Sequence, residues 1–341
     1  MTLRVVQWTT GNVGERSVLA VLANPDLELV GCYAWSPDKE GTDVGGGVLA
    51  THDVDALLTL RPDCFVYNPK WPDVDELVRI LTSGANVVTT AGFITGHALG
   101  EGRDRIEAAC LAGGSSIFGS GMNPGFANLL GLVSAGICDR VDSITVTESV
   151  DSTGYDSADT ERSVGYARPI DDPELPAMVE RGTAVFGDGV RLMAEALGIE
   201  LDEVRCESEF AQTTEDLDLG SWDIKAGCVA GIAASWQGVR NGRTVIDLRV
   251  RWRKGRTLEP DWKVEHGYIV EIEGQPNVRT KLEIAPPKDF RATSFKDYMV
   301  LGMIITGLPA VHAIPAVVAA RPGIVTYTDL PLITAKGFVS P

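Results

Sequence analysis

Residues Thr10, Gly11, Asn12, Val13 and Gly14 follow directly on a short apolar run and open a helical pattern. Glycines at such a strand–helix turn let the backbone approach a pyrophosphate closely. The N–H groups and dipole of the new helix then face its negative charge. The implied chemistry is the binding of a dinucleotide. A complete G-x-G-x-x-G fingerprint would place glycine at position 9, where Thr9 stands, so Gly11 and Gly14 carry the motif between them. A plain strand–helix turn without a ligand is the alternative reading.

Where a second strand ends, an acid would accept hydrogen bonds from the adenosine 2′-hydroxyl and select NAD. Here the tip reads Tyr33-Ala34-Trp35-Ser36-Pro37-Asp38-Lys39. Ser36 can donate to a phosphate, Lys39 can neutralise it, and Trp35 can stack on adenine. This favours NADP(H), with NAD(H) as the second reading if Asp38 is the relevant acid. Three further loops follow strands at their C-terminal ends, where open α/β sheets bind ligands. They contain Asn68 and Pro69; Thr90, Ala91 and Gly92; and Met122, Asn123 and Pro124. Asn123 is placed to hold a nicotinamide amide. Each loop also reads as a tight turn capping a helix.

Glu148 is the most suggestive acid. In the stretch 144–150 the even positions are apolar except for it, so period two puts a carboxylate on the face of Ile144, Val146 and Val150. A buried acid is costly unless paired. It implies either an ion pair with Arg or Lys, or a carboxyl of raised pKa able to act as acid or base. His97, Tyr155 and Tyr166 are further polar candidates in loops, each of which also reads as an ordinary surface residue.

These residues need a frame. Strand signals at 3–8, 27–35, 64–67, 86–90 and 115–118 alternate with helical patterns at 14–23, 73–82, 103–112 and 126–136. Such alternation predicts a doubly wound parallel sheet, an N-terminal Rossmann domain, over 1–138. The pattern then changes. A strand at 141–150 is followed by a polar stretch, 151–172, long enough to suggest a lid or binding loop. A single helix is expected over 176–197. Strands at 228–239 and 244–253 flank Asn241-Gly242, a strong hairpin signal, and a second pair follows at 264–273 and 278–284. Residues 139–290 therefore read as an α+β domain with a mainly antiparallel sheet. The small-residue-rich segment 291–341 resembles the first domain in composition and is expected to return to it.

The formal net charge of −17 opposes binding to nucleic acid or anionic membrane, since phosphate neutralisation needs clustered Lys and Arg. No apolar stretch reads as the roughly 18 residues needed to span a bilayer. The six cysteines form no C-x-x-C pair and read as reduced and buried, and the four histidines lack metal-ligand spacing. A cytoplasmic protein without a metal site is expected.

Several segments together carry a resemblance: Val5 with Thr10–Gly14, 29–31 with 37–45, 86–90, Gly121-Met-Asn-Pro-Gly-Phe126, and His312-Ala-Ile-Pro-Ala-Val-Val318. In this order they resemble the dihydrodipicolinate-reductase-like oxidoreductases, in particular the branch of 2,4-diaminopentanoate dehydrogenases and native amine dehydrogenases. The resemblance implies a Rossmann domain, an α+β domain that mediates homodimerisation, and nicotinamide-dependent reduction of C=N or C=O. For the amine dehydrogenases the reaction is reductive amination of a ketone or aldehyde by ammonia. That branch carries Ala-Glu-Glu after the fifth strand, with a catalytic glutamate. The matching positions here are Ala91, Gly92 and Phe93. Glu101 lies on the same loop but is displaced in sequence.

The expectation is an NADPH-dependent amine dehydrogenase, with substrate between the domains. Glu148, Glu101 or His97 would serve as the acid–base group, and Phe93, Tyr155 and Tyr166 would shape the substrate pocket. The alternatives are a plain carbonyl reductase or alcohol dehydrogenase, and a non-catalytic NADP-binding sensor.

Overall fold

A computed structural model describes residues 2–155, 157–293 and 295–339. The chain divides into two compact units, 1–126 with 302–341, and 127–301.

In chain order the first unit contains β1 (Leu3–Trp8), α1 (Asn12–Ala23), β2 (Leu27–Tyr33), β3 (Ala50–Thr51), α2 (Val54–Thr59), β4 (Cys64–Tyr67), α3 (Val74–Thr82), β5 (Asn86–Thr89), α4 (Glu101–Gly113) and β6 (Ser116–Gly119). The second unit follows with α5 (Ala127–Ala135), β7 (Arg140–Asp151), α6 (Ala158–Ser163), α7 (Leu175–Gly182), α8 (Val185–Ala196), β8 (Glu203–Thr213), β9 (Leu217–Asp218), β10 (Asp223–Ile224), β11 (Val229–Arg240), β12 (Arg243–Arg253), β13 (Leu258–Glu259), β14 (Gly267–Gln275) and β15 (Val278–Leu282). The chain ends with α9 (Met299–Val318) and β16 (Gly323–Val325).

The first sheet is parallel throughout, in the order β16-β6-β5-β4-β1-β2-β3. Both faces are covered, as its strands of near-continuous apolar residues require. On one face Val5, Leu29, Val66, Val88 and Phe118 pack under α1 and α9; on the other, Val6, Trp8, Phe65, Val87 and Ile117 pack under α2, α3 and α4. Local signals set the helix ends. Asp73 caps α3 by accepting from the Asp75 and Glu76 N–H groups at 2.8 and 3.1 Å. The C-terminal segment completes this sheet through β16 beside β6.

Helix α9 runs unbroken for 20 residues, with Pro309 and Pro315 inside it. Its mean hydropathy of 1.8 makes it long and apolar enough to cross a membrane, contrary to the reading of the sequence, which broke it near Gly307. Its apolarity has a local use: Ala310, Val311, Ala313, Ile314 and Val317 are buried in the core over β1, β4 and β5.

The second sheet has the order β13-β8-β11-β12-β7-β14-β15, with every pair antiparallel except β12–β7. Asn241 and Gly242 both adopt positive φ, 52° and 72°, as the tight β11–β12 hairpin demands. Helices α5 and α8 pack on one face, where Gly131 lies against Val146 and Met193. For that reason α5 belongs to the second unit, and the boundary falls at 126/127 rather than 138/139.

The single helix expected over 176–197 is two. Helix α7 stops at Gly182, and Thr183 donates to the Val179 carbonyl at 2.6 Å while accepting from Trp236 Nε1 at 2.9 Å. Of the cysteines, Cys32, Cys64 and Cys110 are buried, whereas Cys138, Cys206 and Cys228 are only half-buried; all six are free thiols. Burial pushes the Cys32, Cys110 and Cys206 thiols up to about 12, so none of these three is a reactive thiolate.

Candidate functional site

The glycine turn of the first unit is more complete than its sequence. Thr9 adopts φ 78°, the left-handed conformation that a fingerprint glycine would take. It is held there on three sides. Its N–H donates to the Tyr33 carbonyl at 2.9 Å, its hydroxyl donates to the Asn68 carbonyl at 3.0 Å, and its own carbonyl accepts from Gln7 Nε2 at 3.1 Å. A Cβ on Gly14 would lie 2.4 Å from that same Thr9 carbonyl oxygen, so the turn closes only around glycine. Gly11 is different: nothing lies within 4 Å of where its Cβ would be. No contact within the chain demands glycine there, and the space beside its backbone is open. Gly11 is also the N-cap of α1 and offers no side-chain cap to the helix N–H groups. A pyrophosphate fits both features.

Gln7 is a residue that the sequence reading missed. It is fully buried at the end of β1 and donates to the Trp8 carbonyl at 3.2 Å and to Asn68 Oδ1 at 2.9 Å, as well as to Thr9. Asn68 Nδ2 in turn donates to Thr90 Oγ1 at 2.8 Å. The tips of β1, β4 and β5 are thereby tied into one network. The signal was present: Leu3, Val5 and Gln7 share a face, and a polar residue ending an apolar face needs a partner.

At the tip of β2, Lys39 Nζ donates to Thr10 Oγ1 at 2.9 Å and to the Thr10 carbonyl at 3.2 Å. Its cation therefore sits on the glycine turn. Ser36 precedes the short 3₁₀ turn Pro37–Lys39, and Trp35 stands 73% exposed beside it. The nearby acid Glu40 accepts from the His52 backbone N–H at 2.7 Å, and His52 Nε2 lies 3.5 Å from it. Past β6, Asn123, Pro124 and Gly125 within Met122–Phe126 have non-helical backbone angles, with Met122 and Pro124 buried and Asn123 half-buried.

Phe93 does not line a pocket. Its ring is 1% exposed and packed in the core under α3 and α4, because the turn after β5 dives inward. His97 is exposed, its Nδ1 paired with Thr95 Oγ1 at 2.8 Å, and Glu101 is exposed at the first residue of α4.

The second unit holds the other acid. Glu148 on β7 accepts from Trp252 Nε1 at 3.0 Å. The indole N–H thus holds one carboxylate oxygen in place. Tyr268 pairs with Glu148 across β14. Burial raises the Tyr268 phenol first, and the Glu148 charge adds to it; the Tyr155 and Tyr166 phenols are raised by burial, then by Glu161, with a smaller push from Glu148. All three keep their protons at neutral pH.

The stretch 151–172, expected as a lid or binding loop, has secondary structure among its described residues. It contains α6 and carries Glu161, whose carboxylate lies 2.7 Å from the buried Lys254 ammonium. Tyr166 is buried within it, its ring 5.4 Å from Lys254 Nζ, so it presents little surface to a ligand; Tyr155 is half-buried.

Comparison with known proteins agrees with this architecture. Residues 128–337 match the 2,4-diaminopentanoate dehydrogenase C-terminal domain. An amine dehydrogenase of Streptomyces virginiae is 33% identical over 98% of both chains. A 2,4-diaminopentanoate dehydrogenase of Acetoanaerobium sticklandii is 28% identical over 67% of this chain and 60% of its own. The structure of an amine dehydrogenase from Mycobacterium smegmatis superposes with a TM-score of 0.80 at 19% identity, covering 99% of this chain and 98% of that one. With a domain match over most of the chain and a full-length relative at this identity, the chain belongs to the family of oxidoreductases that contains the 2,4-diaminopentanoate and amine dehydrogenases.

Proposed function

We propose that the protein is an NADPH-dependent amine dehydrogenase, which converts a ketone or aldehyde and ammonia into an amine. The observation that carries the cofactor choice is the Lys39 ammonium seated on Thr10 at the glycine turn. A fixed cation there, three residues after Ser36, favours a 2′-phosphate over a 2′-hydroxyl. Gly11 and the first turn of α1 would hold the pyrophosphate, Trp35 would cover the adenine, and Asn68, Thr90 and Asn123 would hold the nicotinamide side. When bound, NADPH supplies the hydride.

The overall change consumes carbonyl, ammonium, NADPH and a proton, and yields the alkylammonium, NADP⁺ and water. Ammonia must lose a proton as it adds to the carbonyl carbon, and the oxygen must gain protons to leave as water. Glu148 is the candidate group for these transfers, oriented by the Trp252 N–H. Glu101 and His97, both exposed on the first unit, are the alternatives.

A homodimer is part of this reading. The uncovered face of the second sheet bears a groove of about 540 Å³, lined by residues of both signs, among them Glu207, Glu209, Arg251 and Lys263. A second copy of the same face would be complementary in charge. Sedimentation at micromolar concentration should give twice the chain mass; a monomer would remove this element.

The functional test is NADPH oxidation against a carbonyl panel with and without ammonium. Turnover that requires ammonium supports amine dehydrogenation. Equal turnover without it points to a carbonyl reductase. Tight NADPH binding with no turnover points to a sensor.

A further inference from the structure

The segment between β7 and α7 is attached to the second sheet at both ends. Ser152 N–H donates to the Arg253 carbonyl at 2.8 Å, and Gly255 N–H donates to Thr153 Oγ1 at 2.8 Å. At the far end Val229 bonds to two successive residues, its carbonyl accepting from the Ala167 N–H at 3.0 Å and its N–H donating to the Arg168 carbonyl at 2.8 Å. The span 154–166 between these anchors carries α6, Tyr155 and Tyr166.

One side chain reaches into the middle of that span. Lys254, directly after β12, has a fully buried side chain. Its Nζ lies 2.7 Å from Glu161 Oε1 on α6 and donates to the Ser152 carbonyl at 2.6 Å. It also sits over the rings of Tyr166 and Trp222, at 5.4 and 5.6 Å. Arg162 covers Trp222 at 5.5 Å. A buried ion pair contributes less to stability than well-packed apolar side chains, because both ions lose their hydration. What it adds is direction: the ammonium donors fix the distance and rotation of α6, which an apolar contact would leave free.

We infer that the Lys254–Glu161 pair is a clamp that holds 154–166 in its substrate-binding position, so that Lys254 is a positioning residue acting through Tyr155. The substrate half of this inference rests on the functional reading above; the clamp itself does not. The Ser152 carbonyl that accepts from Lys254 Nζ also accepts from the Tyr155 N–H at 2.9 Å, which ties the clamp to the backbone of Tyr155.

The test uses the full chain. Lys254→Met alone would leave the Glu161 carboxylate buried beside an apolar group and can fail to fold. The decisive variant is therefore the double substitution Lys254→Met with Glu161→Gln, which removes both charges. Hydrogen exchange on the free protein reads the clamp. Amides in 154–166 should exchange at least about tenfold faster while those of β7 and β12 stay unchanged. Kinetics read the positioning: KM for the carbonyl should rise about tenfold with kcat nearly unchanged, the signature of lost ground-state binding, and NADPH affinity should be unaffected. Unchanged exchange overturns the clamp. Faster exchange with an unchanged KM overturns the positioning role. A parent chain inactive with carbonyl, ammonium and NADPH overturns the functional reading together with the substrate half, while the exchange result still decides the clamp.

Discussion

Replacing Thr9 by glycine and, separately, by valine tests the geometry of the cofactor turn. Thr9 holds φ 78°, and for a β-branched residue that conformation is an outlier. The left-handed backbone costs about 1–2 kcal/mol for a residue with a Cβ. Glycine removes that cost. It also adds about 0.5–1 kcal/mol of chain entropy to be lost on folding. It forfeits the hydroxyl bond to the Asn68 carbonyl, worth about 1 kcal/mol. These contributions nearly cancel, so Thr9→Gly should lie within about 1 kcal/mol of the parent. Valine keeps the strain and loses the same hydrogen bond, so Thr9→Val should lose about 1 kcal/mol or more. The expected order of stability is glycine near threonine, and both above valine. Chemical denaturation followed by intrinsic tryptophan fluorescence measures it, with NADPH affinity of the glycine variant as a control. In an ordinary extended turn the order would invert, since glycine would be the costliest choice. A valine variant as stable as the glycine variant would refute the strained-turn account.

Lys39→Met should weaken NADPH binding by about tenfold to a hundredfold, the value of a hydrogen bond to a charged group, and NADH much less; an equal loss for both would mean that Lys39 acts only through Thr10. Glu148→Gln keeps an acceptor for Trp252 Nε1 and should lower kcat by about 10²–10⁴ with NADPH affinity intact; unchanged turnover would remove Glu148 from the acid–base role. His312 on α9 packs edge-on against Phe338 at 4.7 Å, and burial holds its pKa below the ordinary 6.5. The unfolded chain therefore binds the proton more readily, and stability should fall as pH drops below about 6.5. His312→Leu should flatten that part of the pH–stability curve, and an unaltered curve would place the acid sensitivity elsewhere.

The first unit was largely legible because its signals are local. An apolar strand, a glycine turn, a helix and an Asn-Pro stop occur within the first 25 residues, and each follows from backbone preference. The Asn241-Gly242 hairpin was legible for the same reason. Phe93 was misread because a loop aromatic looks like a pocket residue until the chain's inward path buries it. The length of 151–172 suggested a lid or binding loop, but not what holds it in place. Its key carboxylate, Glu161, is matched by a lysine 93 positions later, a separation no local pattern reveals. Helix α9 looked broken because proline and glycine interrupt its pattern, yet burial against the sheet keeps it whole.

By itself the sequence determined the doubly wound first unit, the change to an antiparallel sheet and the glycine turn, since each depends on residues close together in the chain. Tertiary structure alone decided that Thr9 would do a glycine's work, that Gln7 and Asn68 would tie three loops together, that Lys39 would rest on Thr10, and that Lys254 would meet Glu161. The physical reason is common to all four. A strained torsion, a buried amide or a buried charge is tolerated only where partners from distant strands converge on it, and that convergence exists only in the fold.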